Sequence, residues 1–152
     1  MNKDVVAVKL RNVLAMDQGH AVFLGNEEKT FVIFVDESVG KAISMSMRGR
    51  VQERPMTHDL VGHMLMAFGA KIDRVIINAL DGGVYYARII LSAENEVQQR
   101  KMVELDARPS DSIALAVAQN APIFVAQEVW EEVDDVGDAL EDLQKRGPED
   151  ED

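Results

Sequence analysis

Residues 71–92, KIDRVIINALDGGVYYARIILS, decide the fold. Two β-rich runs, 71–80 and 83–92, flank Leu80-Asp81-Gly82-Gly83. Asp-Gly is a favoured type I′ turn, because both central positions need positive φ. The stretch therefore reads as an antiparallel hairpin. Upstream, 4–14, 20–25 and 30–35 have strand patterns, and 25–29 (GNEEK) supplies the turn of a second hairpin. Residues 100–105 and 122–125 add two short strands.

Helical patterns fill the intervals. Ser38 is placed to cap a helix reaching about Met47, and Arg48-Gly49-Arg50 breaks it. A helix over about 58–68 sets Leu60, Val61, Met64, Leu65 and Phe68 on one face, with Asp59 and His63 together on the other. A third, 111–119, is apolar nearly all round and so is expected to be buried. A last, acidic helix carries Val129, Val133, Val136, Leu140 and Leu143, a stripe that wants a partner in the same chain or in a second subunit. Together these patterns predict an α+β fold: a single compact domain with a mostly antiparallel sheet, hairpins and packed helices over 4–135. An acidic helical extension and disordered tail follow over 136–152.

A chain of 152 residues, 47% of them hydrophobic, can bury a core without a disulfide or structural metal. It has no cysteine, so thiolate chemistry and sulfur metal sites are excluded. The opening residues do not read as a signal peptide and no run approaches a membrane span. The expectation is a soluble, cytoplasmic protein without a membrane partner. The net charge of −11 is uneven. From Gln127 onward twelve acids stand against Lys145 and Arg146, leaving fifteen acids against fourteen bases before that point. The body is nearly neutral, and the charge that repels polyanions is terminal.

Two short polar segments carry the chemistry. Residues 54–60 are RPMTHDL and residues 106–116 are DARPSDSIALA, so Arg-Pro, a hydroxyl and Asp recur at two helix entrances. Thr57 and Ser110 are placed to cap the helices, and Asp59 and Asp111 suit a first turn. Capping leaves Arg54 and Arg108 unexplained. A guanidinium beside a helix N-terminus makes a phosphate site, so Arg54 and Arg108, with Thr57 and Ser110 beside them, are candidates to bind substrate. The bland reading, that the arginines pair with Asp59, Asp106 and Asp111, stays open.

Asp59, Asp106 and Asp111 would suit a hard divalent cation, Mg²⁺ or Mn²⁺, and His58 or His63 can move protons at neutral pH. The candidate catalytic residues are thus His58, Asp59 and Asp111. There is no HExxH, P-loop, GxGxxG or GxSxG.

The order RPMTHDL, DGGVYYARI, DARPSDSIALA, APIFV closely resembles the bifunctional nuclease domain family, formerly a domain of unknown function, over about 5–133. That resemblance implies a compact α+β domain, commonly a homodimer, with DNase and RNase activity of the kind attributed to plant members. It implies nucleic acid as a partner but carries no settled catalytic assignment onto these positions. Many bacterial members append a helical UVR motif, where this sequence has an acidic helix. The leading expectation is a hydrolase, a nuclease cleaving phosphodiesters of RNA and/or DNA with a divalent ion. The alternative is a non-enzymatic anion-binding or regulatory interaction module.

Overall fold

The computed structural model describes residues 4–50, 53–94, 96–97 and 99–145. Its strands are β1 (Val5–Ala15), β2 (His20–Gly25), β3 (Thr30–Val35), β4 (Ala70–Asp81), β5 (Val84–Glu94), β6 (Arg100–Ala107) and β7 (Ile123–Ala126). Its helices are α1 (Glu37–Met47), α2 (Thr57–Ala67), α3 (Pro109–Gln119), α4 (Gln127–Glu132) and α5 (Gly137–Lys145). The strands form one sheet in the order β3-β2-β1-β7-β4-β5-β6. Each neighbouring pair is antiparallel except β4 with β7, so the α+β expectation holds.

In the central hairpin Asp81 pairs with Val84, and the two-residue turn is Gly82-Gly83, at φ 59° and 82°. The left-handed positions therefore fall on the glycines, where no Cβ resists them, and Asp81 ends the strand. Across the hairpin Ile72, Val75 and Ile77 align with Leu91, Ile89 and Ala87. These residues make one face of the sheet and belong to the main core, beneath α3.

α3 is buried over Ser112–Ala116 because its alanines let the helix backbone lie close on the strands. Asn120, at φ 59°, closes it in the left-handed conformation. The chain then drops into β7, whose Ile123 and Val125 are buried between β1 and β4. The sheet also curls. The Phe31 ring lies 6.1 Å from that of Tyr85 although four strands separate β3 from β5, and the Trp130 ring meets Phe31 edge-on at 6.2 Å.

Two local expectations need correction. Asp36, not Ser38, is the N-cap of α1, so Ser38 lies inside the first turn. The final acidic helix is two helices. Lys29 Nζ donates to the carbonyls of Trp130 (2.5 Å) and Val133 (3.1 Å), taking up the end of α4. Asp135 Oδ1 then accepts the N–H groups of Thr30 (3.1 Å) and Gly137 (2.9 Å), which turns the chain into α5. All of the stripe but the exposed Leu143 finds its partner in its own chain: Val129 and Val133 join the main core, and Leu140, with Val136, packs on Ala21 and Phe23. The expected disordered tail, beyond Gly147-Pro148, lies outside the described residues, which end at 145. Among the described residues no helix is long and apolar enough to cross a membrane.

Candidate functional site

α2 and α3 bring their N-termini together, so the two Arg-Pro segments meet. Each helix starts one or two residues earlier than its hydroxyl would place it. α3 begins at Pro109, whose ring presets the φ of a first helical residue, and Arg108 is the extended N-cap. Ser110 therefore sits within the first turn. α2 begins at Thr57 with Met56 as its extended N-cap, and Asp59 Oδ2 reaches back to accept the Met56 N–H at 2.9 Å. Thr57 and Ser110 are thus not caps, and Asp59 supplies one of the missing helix-end partners. The hydroxyl of the fully buried Ser112 donates to the Arg108 carbonyl at 2.9 Å.

The contact joining the two entrances is His58 Nε2 to Asp111 Oδ1, 3.4 Å. The imidazole is 15% exposed and the carboxylate 46%. A first-turn residue of one helix thereby orients a first-turn residue of the other, and the Asp111 carboxylate lies where the α3 dipole favours negative charge. His58 also lines a cleft of about 470 Å³. Ala114, Val117 and Ala118 of α3 form part of its lining, between residues of α1 and α2. Its charged and imidazole groups are Arg50, Glu53, His58, Asp59 and His63.

Not every expected residue reaches this cleft. Arg54, Thr57, Arg108, Ser110 and Asp111 are not among its lining residues, although Asp111 touches it through His58. Arg54, Thr57 and Arg108 are exposed, and Ser110 is half-buried. Among the described residues the ion pairs are His58–Asp111, Arg74–Asp73 and Arg88–Glu104, so among them neither Arg54 nor Arg108 is tied to Asp59, Asp106 or Asp111. The internal-fork reading of the arginines fails there.

Asp106 stands apart. It is aligned with Arg88 across β6 and β5 and is exposed, whereas its neighbour Ala107 is aligned with buried Ala87 and packs against the core under α3. Successive strand residues point to opposite faces, so the sheet separates the Asp106 carboxylate from Asp59 and Asp111. Among the described residues no group of three or more His, Cys, Asp or Glu side chains is placed to hold a metal ion. The trio Asp59, Asp106 and Asp111 does not fit a shared Mg²⁺ or Mn²⁺.

Arg50 and Glu53 are cleft residues that motif reading passed over as site members. Both lie in the connection after α1, and only the approach of α1 to α2 gives them a role. Two of the basic positions lie far apart. Arg100 and Lys101 begin β6 and Arg108 follows its end, so strand rise alone separates Arg100 from Arg108 by about 27 Å.

The fold and its facing helix entrances define an α+β domain with a polar cleft on its helical side. The model of the bifunctional nuclease domain matches residues 22–136, and the chain belongs to that family. It is similar to two uncharacterized proteins of Mycobacterium tuberculosis, one from strain CDC 1551 and one from strain H37Rv, each 32% identical over 104 residues. The match covers 68% of this chain and 58% of each relative's length, so the chain spans little more than half of these relatives.

Proposed function

We propose that this domain hydrolyses phosphodiester bonds of RNA and/or DNA at the cleft between α1 and α2. The observation that carries the reading is the His58–Asp111 contact at the wall of a cleft that also holds Arg50 and His63. The family's name supports the same class of reaction. His58 would take a proton from water as its oxygen attacks phosphorus, and the bond from phosphorus to the leaving oxygen breaks. Asp111 is a positioning residue that orients the ring and stabilises imidazolium. Arg54 and Arg108, unpaired among the described residues, would hold the flanking phosphates. Asp59 holds the start of α2 through Met56 and lines the cleft.

The test is cleavage of labelled single-stranded RNA and DNA by highly purified protein, with Mg²⁺, with Mn²⁺ and with a chelator. His58→Ala is expected to abolish the activity. Cleavage that persists undiminished in this variant, with its fold intact, would assign the activity elsewhere.

One observation favours a second reading, an anion-binding or regulatory module without catalysis. A nearly neutral body is unlike a polynucleotide binder, whose affinity falls steeply with salt. If short oligonucleotides bind without being cut and with little salt dependence, this second reading replaces the first.

A further inference from the structure

A second cleft opens beside the first and is the larger, about 1060 Å³ against about 470 Å³. Val8, Leu10 and Ile123 line it from the sheet, Met47 from the end of α1, and Ala121 and Pro122 from the turn after α3. Ser46 and Val117 line both clefts, so the two spaces meet there. α3 runs along both. Ala114, Val117 and Ala118 face the first cleft, and Val117, Asn120 and Ala121 the second. Ala114, Ala118 and Ala121 recur four and three apart, which sets them on one side of the helix and keeps that side low. The clefts thus form one trough along the α3 axis.

The body is nearly neutral in sum, yet cations stand along this trough. Arg108 is the N-cap of α3, Arg50 lines the first cleft, and Lys9 and Arg11 line the second. Arg11 is the extra residue where β1 shifts register between Leu10 and Asn12, and a bulge re-aims the side chain it carries. Glu27 and Glu28, in the turn between β2 and β3, also line the second cleft. Carboxylates there repel a second row of phosphates, but they accept the amino groups of bases. From Arg108 to Asn120 the helix rises about 18 Å, the length of roughly five stacked nucleotides of one strand.

We propose that the second cleft binds the nucleotides flanking the scissile phosphate, so that one single strand of nucleic acid lies along the whole trough. Arg11 and Lys9 hold phosphates of that flank, while Leu10, Met47 and Pro122 meet the faces of its bases. The proposal rests on the reading of the first cleft as the phosphodiester site. It adds the form of the substrate, single-stranded and several nucleotides long. A duplex would bring its complementary strand against Glu27 and Glu28.

Fluorescence anisotropy tests the trough, using the full chain with His58→Ala so that nothing is cut, and labelled DNA. An octanucleotide is expected to bind at least about 10-fold more tightly than a dinucleotide, the gain of one further charge-assisted contact. It should also bind more tightly than the same strand annealed to its complement. Adding Arg11→Gln should remove most of the length gain and lower the slope of log affinity against log salt by about 0.7, the share of one single-strand phosphate. Lys71→Gln, exposed on β4 and outside both linings, should change neither. Arg11 is exposed, so circular dichroism should stay that of the parent. Equal affinity for the two lengths, an Arg11→Gln variant with gain and slope intact, or duplex bound as tightly as single strand each overturns the proposal, whether or not the wild type cleaves. If the wild type cuts nothing while this binding pattern holds, hydrolysis is lost and the trough stands.

Discussion

Asp111→Asn separates a positioning role from a merely structural one. The substitution keeps the size of the side chain and its place in the first turn of α3, but removes the charge facing His58 Nε2 at 3.4 Å. Asp111 is 46% exposed, so its ion pair with His58 is screened by water and contributes at most about 1 kcal/mol to stability. For a chain of this size that is a shift in Tm of roughly 2–4 °C. Activity answers to a different quantity. A positioned general base contributes about 10²–10⁴-fold, and a ring without its carboxylate loses its orientation and the stabilisation of its charged form. Cleavage is therefore expected to fall about 100-fold or more while Tm barely moves. The assay is initial-rate cleavage of a fluorogenic oligonucleotide beside differential scanning fluorimetry on the same preparation. Undiminished cleavage would refute the positioning role. A fall in Tm well beyond a few degrees would mean that the contact holds the fold.

Further outcomes follow from the packing. A Cβ at Gly40 of α1 would stand on the ring and Cβ of His20, so Gly40→Ala should destabilise by about 1–3 kcal/mol, read from urea unfolding. Burial pushes the Tyr85 hydroxyl above its ordinary range, with Asp134 and Glu132 adding to the effect. Its neutral form is thus favoured on folding, a contribution present below about pH 10 and lost as pH rises through the folded value. Tyr85→Phe should flatten this alkaline loss in a Tm series, and an unchanged alkaline slope would show that Tyr85 does not drive it. The backbone N–H groups of Thr30 and Gly137 hold the Asp135 carboxylate below its ordinary range. Asp135→Ala should lower Tm at neutral pH, and the gap to wild type should close as pH falls through the folded value. A gap that is constant with pH would assign the effect to the turn rather than the charge.

The central hairpin was legible because its signals are local: β-rich runs on either side of a glycine turn. The same holds for the strands around Val22 and Ile33 and for α3, whose alanine-rich run announces burial. Caps were less legible. Pro109 fixes φ and starts α3 before Ser110, while Asp59 reaches back to Met56, so proline and carboxylate outcompete the hydroxyls for the first turn. The α2 stripe misled for another reason. Val61 and Leu65 pack against the core, whereas Leu60, Met64 and Phe68 are 50%, 55% and 84% exposed. Period alone says that residues share a side, not whether that side meets the core of its own chain.

The sequence by itself determined the strands and the first three helices, the family and the paired Arg-Pro entrances, because period, turn residues and motif order are properties of neighbours along the chain. Only the tertiary structure decided which of the paired residues meet. β7 slots between β1 and β4 and α3 lies over the hairpin, so His58 finds Asp111 across two helix N-termini 53 positions apart in the chain. Strand alternation sends Asp106 to the far face of the sheet while Ala107 enters the core. A motif names side chains in order, but the pleat of a strand and the facing of two helices decide which of them share a space.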